Sequence, residues 1–167
     1  MYSTELPNAI IGSFKDAYLE VPEEILITSM KEHQGFFSLR QKGTGRLAAH
    51  FITVTNNRAK DMSLIREGNE RVLAARLADA KFFFDQDRKK SLSDRVQGLA
   101  KVVYHNKLGT QGERTERVRA IAAGLALRWP QTSASFQAQV DTAARLAKTD
   151  LLTDMVGEFP ELQGIMG

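Results

Sequence analysis

Asp150 and Asp154 stand four residues apart in "TDLLTD", so a helix through them would carry both carboxylates on one side, one turn apart. Such a pair can serve as acid and base toward a bound substrate, or hold magnesium through carboxylate oxygens. The ordinary alternative is a pair of solvated acids on a helix surface. "GTG" at residues 43 to 45 has the look of a phosphate-cradling loop, but no helix N-terminus follows it, and a tight hairpin turn explains it better. The three histidines, His33, His50 and His105, are dispersed, and only convergence in space would make them ligands.

Charge gives a second kind of chemistry. The net charge of +3 is small, yet its distribution is uneven. Residues 1 to 85 balance eleven acidic against eleven basic groups. Residues 86 to 119 hold nine basic groups (Arg88, Lys89, Lys90, Arg95, Lys101, Lys107, Arg114, Arg117 and Arg119) against four acidic ones. Residues 141 to 167 reverse the sign, with two basic and five acidic groups. If the basic groups share a face they can contact phosphates, and the candidates for that role are Arg88, Lys89, Lys90, Arg95, Lys107, Arg114 and Arg117. A solvated helical surface is the alternative.

A third set lies on one helix. In "EGNERVLAARLADAKFFF", Val72, Leu73, Leu77, Ala80, Phe83 and Phe84 fall within an arc of roughly 140° at helical spacing. Arg66, Asn69 and Arg76 project into the same arc, with Glu70 at its edge, and polar groups there need partners. Pairing of Arg66 with Glu70 and of Arg76 with Asp79 along the helix would supply them. Alternatively the guanidinium forks reach out to a neighbouring domain, a partner chain or a phosphate.

The elements that must position these groups read as strand first and helix later. At 167 residues and 43% hydrophobic, the chain can build one sizeable core or two small ones. From Glu24 to Asn57, "EILITSM", "GFFSLR" and "HFITVTNN" predict three strands in a meander, with "QKGTGRL" as the connection between the last two. A further strand is expected within the first twenty residues, around "NAIIGSF". Asp61 caps a helix running to about Phe84, and "DQDRKKSLSD" connects it to the next. Ser91 or Ser93 caps that one, with Val96, Leu99 and Val103 inward and Gly109 near its end. A third helix starts near Glu113, aligns Val118, Ile121, Ala122, Leu125 and Trp129 on one side, and closes at Pro130. The fourth starts near Ser133 and aligns Phe136, Val140, Ala144, Ala147, Leu151 and Met155 before Gly157. "GEFPELQG", with Glu158, Pro160, Glu161 and Gly164, reads as a buried turn that fixes helix packing, the alternative being a contact with a further part of a longer chain. The expected class is α+β: a β-rich segment over residues 1–60, a long connecting helix and basic linker over 61–90, and a helical domain over 91–167.

Composition excludes several functions. There is no cysteine, hence no disulfide, thiolate zinc site or cysteine nucleophile, and a reducing cytoplasm is the expected location. No apolar run approaches the roughly 20 residues that cross a bilayer, and the N-terminus lacks a charged region followed by an apolar signal core, so no membrane association is expected.

Five blocks taken together are more specific than any short motif. "LITSMKEHQGFF", "HFITVTNN", "REGNERVLAARLADAKFFFDQDRKK", "KLGT" and "TDLLTDMVGEFPELQGIMG" resemble, in order and over nearly all of residues 9 to 167, the beta subunit of the bacterial glycyl-tRNA synthetase of the two-alpha, two-beta type. That subunit is several times longer, which implies an internal fragment with a borrowed or accidental start at Met1. The resemblance implies that glycine activation, with its ATP and Mg, belongs to the alpha subunit. It also implies that tRNA(Gly), the alpha subunit and the rest of the beta subunit are the partners, and that this segment holds no cofactor and no catalytic residue. It further implies that the helical half opens a degenerate domain related to the HD phosphohydrolases. His105 would take the first metal-ligand position there, but Thr149 stands where a histidine should precede Asp150, and threonine supplies no imidazole nitrogen. No bound metal is therefore expected. The competing readings are a metal-dependent HD-type phosphohydrolase built on His105, Asp150 and Asp154, and a protein-interaction module that touches no RNA.

Overall fold

The computed structural model describes residues 6–56 and 60–166, which fall into two compact units, one running up to Asp85 and the other from Gln86 onward. In the first unit strand β1 (Asn8–Ser13) and a 3-10 turn (Asp16–Glu20) lead to helix α1 (Glu23–Gln34). A hairpin of β2 (Phe37–Arg40) and β3 (Leu47–Thr55) follows, and then the long helix α2 (Met62–Asp87), whose last two residues belong to the second unit. The expected stop of the third predicted strand at Asn57 lies outside the described residues.

The three strands form one antiparallel sheet in the order β1-β3-β2. The strand expected around "NAIIGSF" is present as β1. The meander is not: "EILITSM", read as its first strand, is helix α1, and the last strand of the unit sits in the middle of the sheet. The burial pattern explains why. Ile25, Leu26, Ser29 and Met30 are the buried positions, a spacing that one face of a helix satisfies and one face of a strand cannot. Pro22 precedes the first turn, Glu23 and Glu24 sit at the positive end of the helix dipole, and Gly35, at φ 64°, closes the helix with its N–H on Lys31 O at 3.1 Å. Helix punctuation at both ends thus outweighs the β-branched content between them.

Alternation along β1 and β3 turns Ile10, Gly12, Leu47, Ala49, Phe51 and Thr53 inward. Phe36 stacks on Phe51 at 4.6 Å between ring centres, and the Phe51 ring fills the space that a Cβ at Gly12, its cross-strand neighbour, would take. The connection Gln41–Arg46 is the hairpin turn expected from "QKGTGRL", closed by Gln41 N–H on Arg46 O at 2.8 Å. Asp61 opens α2 by accepting from Ser63 N at 2.9 Å, and its pKa is lowered, first by the hydrogen bond from the Ser63 hydroxyl. The buried stripe of α2 is narrower than its apolar arc: Leu73, Leu77 and Ala80 are buried, whereas Val72 is exposed.

The second unit contains α3 (Leu92–Arg95), a 3-10 turn (Val96–Lys101), β4 (Val103–His105), β5 (Gly109–Thr110), α4 (Gln111–Leu127), α5 (Ala134–Leu146), a 3-10 turn (Thr149–Leu152), α6 (Asp154–Glu158) and a last 3-10 turn (Pro160–Leu162). Ser91, not Ser93, is the cap of α3, in a reciprocal box with Asp94. The helix expected to run on to Gly109 stops early. Residues 103–110 instead fold as a two-stranded antiparallel ladder, leaving Leu99 buried and Val103 exposed. The β-forming run Val102, Val103, Tyr104 followed by Asn106 and Gly109 carries that hairpin signal. Thr110 caps α4 through a second reciprocal box with Glu113. On α4 the buried positions are Thr115 and Ala126, while the side expected to pack, with Val118, Ile121 and Leu125, faces solvent. The expected fourth helix is broken into α5, the turn at Thr149–Leu152 and α6, with Ala144 and Met155 buried on separate pieces. "GEFPELQG", expected as a buried turn, is instead a surface turn that anchors itself through two side chains: Phe159 and Leu162 are buried, and the other six residues are exposed. Helices with two small antiparallel sheets place the chain in the α+β class.

Candidate nucleic-acid interface

One of the basic groups of residues 86 to 119, Arg95, is built into a polar hub in the second unit. The Asp87 carboxylate, at the end of α2, accepts from Asp154 N and Met155 N at 2.9 Å each, and so receives the first two N–H groups of α6. Arg95 completes the hub. Its guanidinium donates to Asp87 Oδ1 at 3.0 Å, to Asp87 O at 3.2 Å and to Leu152 O at 2.6 Å. The Arg95 and Asp87 side chains are 11% and 8% exposed, a buried pair that joins the ends of α2, α3 and α6. Arg95 therefore stands apart from the other six phosphate-contact candidates: its two terminal nitrogens are committed inside the fold.

Those six fall on two elements. Arg88, Lys89 and Lys90 are exposed in the turn between α2 and the Ser91 cap, where Lys89 Nζ donates to Gln86 Oε1 at 3.0 Å. Lys107, Arg114 and Arg117 come together around the β4–β5 hairpin. Lys107 is exposed at its tip, and its backbone N–H donates to His105 Nδ1 at 3.1 Å. Arg117 donates to Leu108 O at 3.1 Å, and the Arg114 guanidinium lies over the Tyr104 ring at 4.6 Å from its centre. The result is a local surface of three cations and one aromatic, braced from α4. Tyr104 is absent from the sequence-based candidates. A tyrosine ten residues before an arginine signals no contact until the intervening hairpin is known.

Neighbouring charges are engaged within the fold. Arg119 grips Asp141 of α5 through Nε and a terminal nitrogen at 2.9 and 3.1 Å, and also bonds Glu116 at 3.0 Å. Its pKa is raised, first by the hydrogen bond to Glu116 and then by that to Asp141. Glu113 has a lowered pKa because its carboxylate accepts the backbone N–H of Thr110 and then the Thr110 hydroxyl. Asp94 is lowered in the same way by Ser91, through the hydroxyl first.

The polar set on α2 belongs to the first unit and is not gathered into one site. Glu70 accepts from Ser13 N at 2.8 Å and from its hydroxyl at 3.1 Å, tying α2 to β1. Asn69 Nδ2 donates to Ile65 O, one turn back. Arg66, Arg76 and Asp79 are exposed, so the expectation that both arginines project into the buried arc is corrected: the buried face narrows to Leu73, Leu77 and Ala80, and the two arginines lie outside it.

The residues considered for metal chemistry are also placed. His105 is exposed on β4. Thr149 is buried and donates to Leu146 O at 2.7 Å, while Asp150, also buried, accepts Gly164 N–H at 2.6 Å. Asp154 is exposed and opens α6. Among the described residues no group of three or more His, Cys, Asp or Glu side chains is arranged to hold a metal ion, and no helix is long and apolar enough to cross a membrane.

Comparison with known proteins adds what geometry alone does not. A family model described as the glycyl-tRNA synthetase beta subunit matches residues 1–167. The glycine–tRNA ligase beta subunit of Janthinobacterium sp. strain Marseille is 61% identical over 163 residues, covering 98% of this chain and 23% of that protein. Those of Delftia acidovorans and Thiobacillus denitrificans are 58% and 57% identical over the same shares. The chain thus spans about a quarter of the length of these relatives. With a match that runs from end to end and identities this high, the chain belongs to the glycyl-tRNA synthetase beta-subunit family.

Proposed function

We propose that this chain serves the charging of tRNA(Gly) with glycine as part of a glycine–tRNA ligase beta subunit, by holding and orienting tRNA rather than by making or breaking bonds. The observation that carries the reading is the family match over residues 1–167, and the exposed Tyr104, Lys107 and Arg117 with the half-buried Arg114 supply a surface suited to phosphate and base contact. Arg88, Lys89 and Lys90 extend the positive field from a second element. Charging needs tRNA and activated glycine in one productive geometry, so binding energy used for orientation contributes to rate. Glycine activation, with ATP and Mg, falls to the alpha subunit, which is the expected protein partner together with the rest of the beta subunit, in the cytoplasm.

We read the second unit as the opening of an HD-like bundle without metal chemistry. Thr149 and Asp150 favour that reading, since both are buried and engaged with the backbone. No observation favours phosphohydrolase activity.

The test is made in the assembled enzyme, with the full-length beta subunit and its alpha partner. Replacing Lys107, Arg114 and Arg117 by alanine is expected to raise KM for tRNA in aminoacylation while leaving glycine-dependent exchange of pyrophosphate with ATP unchanged. Unchanged tRNA kinetics would overturn the assignment of this surface.

A further inference from the structure

α4 carries an apolar stripe that none of the described residues covers. Val118, Ile121, Leu125 and, just past the helix end, Trp129 recur at helical spacing, and all are exposed, Ile121 by 65% and Leu125 by 62%. Scattered apolar residues on a surface need no explanation, but a row of large ones along about three turns of a helix and its exit does. Beside the row, Thr115, Val118, Ala144 and Ala147 line a small apolar hollow in the seam between α4 and α5, with Arg114 and Lys148 at its edge.

The helix pair is also underbuilt. α4 buries only Thr115 and Ala126, and α5 only Ala144. The pair is held by its seam and by the Arg119–Asp141 fork, without a second layer over the stripe. A surface evolved for a separate partner normally sits on a core that is already complete, whereas an incomplete core calls for a layer from its own chain. The relatives supply the length for one: 163 matched residues are 23% of such a subunit, so most of it lies outside this segment.

We infer that the stripe Val118, Ile121, Leu125 and Trp129 seats an apolar helix contributed by another segment of the same beta subunit. Ridges at these positions suit the grooves of a crossing helix. Arg117 and Arg128 flank the row, so the seated helix carries acidic or neutral residues along that edge.

Cysteine labelling tests this, because residues 1–167 contain no cysteine. Ile121→Cys is placed in the 167-residue chain and in the full-length beta subunit, and alkylation at that peptide is followed by mass spectrometry. The expected result is alkylation slower by about tenfold or more in the full-length subunit alone, since reaction then requires local opening. Ala123→Cys, on an exposed side of the same helix, is expected to react at one rate in both. Leu125→Cys repeats the measurement one turn on and guards against a folding defect peculiar to one site. Equal rates at position 121 in the two proteins would overturn the inference. So would slowing that appears only when the alpha subunit is added, which would make the occupant a partner chain, or slowing that grows with protein concentration, which would make it a second copy.

Discussion

Arg95→Ala removes the guanidinium that joins α2, α3 and the turn before α6. Three hydrogen bonds go with it, to Asp87 Oδ1, Asp87 O and Leu152 O, and with side chains only 11% and 8% exposed little water can replace them. Breaking a buried ion pair from one side costs about 3–5 kcal/mol, because the remaining charge is stranded. Asp87 keeps two donors, Asp154 N and Met155 N, which places Arg95→Ala near the lower end, about 3 kcal/mol. For a unit of this size that corresponds to a fall in Tm of about 12–24 °C. Asp87→Ala should cost more, since it strands the guanidinium and also strips two N–H groups from α6. Urea unfolding followed by the fluorescence of Trp129, the only tryptophan and a member of the second unit, measures both. A loss below about 1 kcal/mol for Arg95→Ala would show that the hub does not hold these elements together.

Two other perturbations probe local causes. Gly12→Ala forces a Cβ into the Phe51 ring and should destabilise the first unit by about 1–3 kcal/mol in a denaturant titration; a neutral result would mean the strand pair yields freely. Glu113 has its pKa lowered below the ordinary 4.5 by the bonds from Thr110, so its contribution is complete above that value and is lost as pH falls through the lowered one. The stability difference between the parent chain and Glu113→Gln should therefore shrink on acidification, and a difference independent of pH would contradict the capping role.

What sequence reveals here follows how local each signal is. Asp61, Ser91 and Ser133 announce their helices because a cap is a contact between residues two or three apart. The β2–β3 hairpin is legible for the same reason, since its turn chemistry lies within six residues. "EILITSM" misleads because its β-branched residues suggest a strand when taken without Pro22 and Gly35, the punctuation on either side. The early end of the helix after Ser91 turns on a hairpin whose partner strand is only two residues long, too short to show as a pattern. The candidate surface divides along the same line. Clustered charge along the chain picks out Lys107, Arg114 and Arg117, but the burial of Arg95 depends on Asp87 and on Leu152, 57 residues away, and no spacing rule reaches that far.

The central claim is that the hairpin surface meets tRNA phosphates. The affinity of the full-length beta subunit with its alpha partner for tRNA(Gly), measured across a series of salt concentrations, tests it most directly. With Lys107, Arg114 and Arg117 replaced by alanine, the slope of log affinity against log salt should become shallower by about two to three, in proportion to the phosphates no longer neutralised. A slope identical to that of the parent enzyme, at any affinity, would contradict the account.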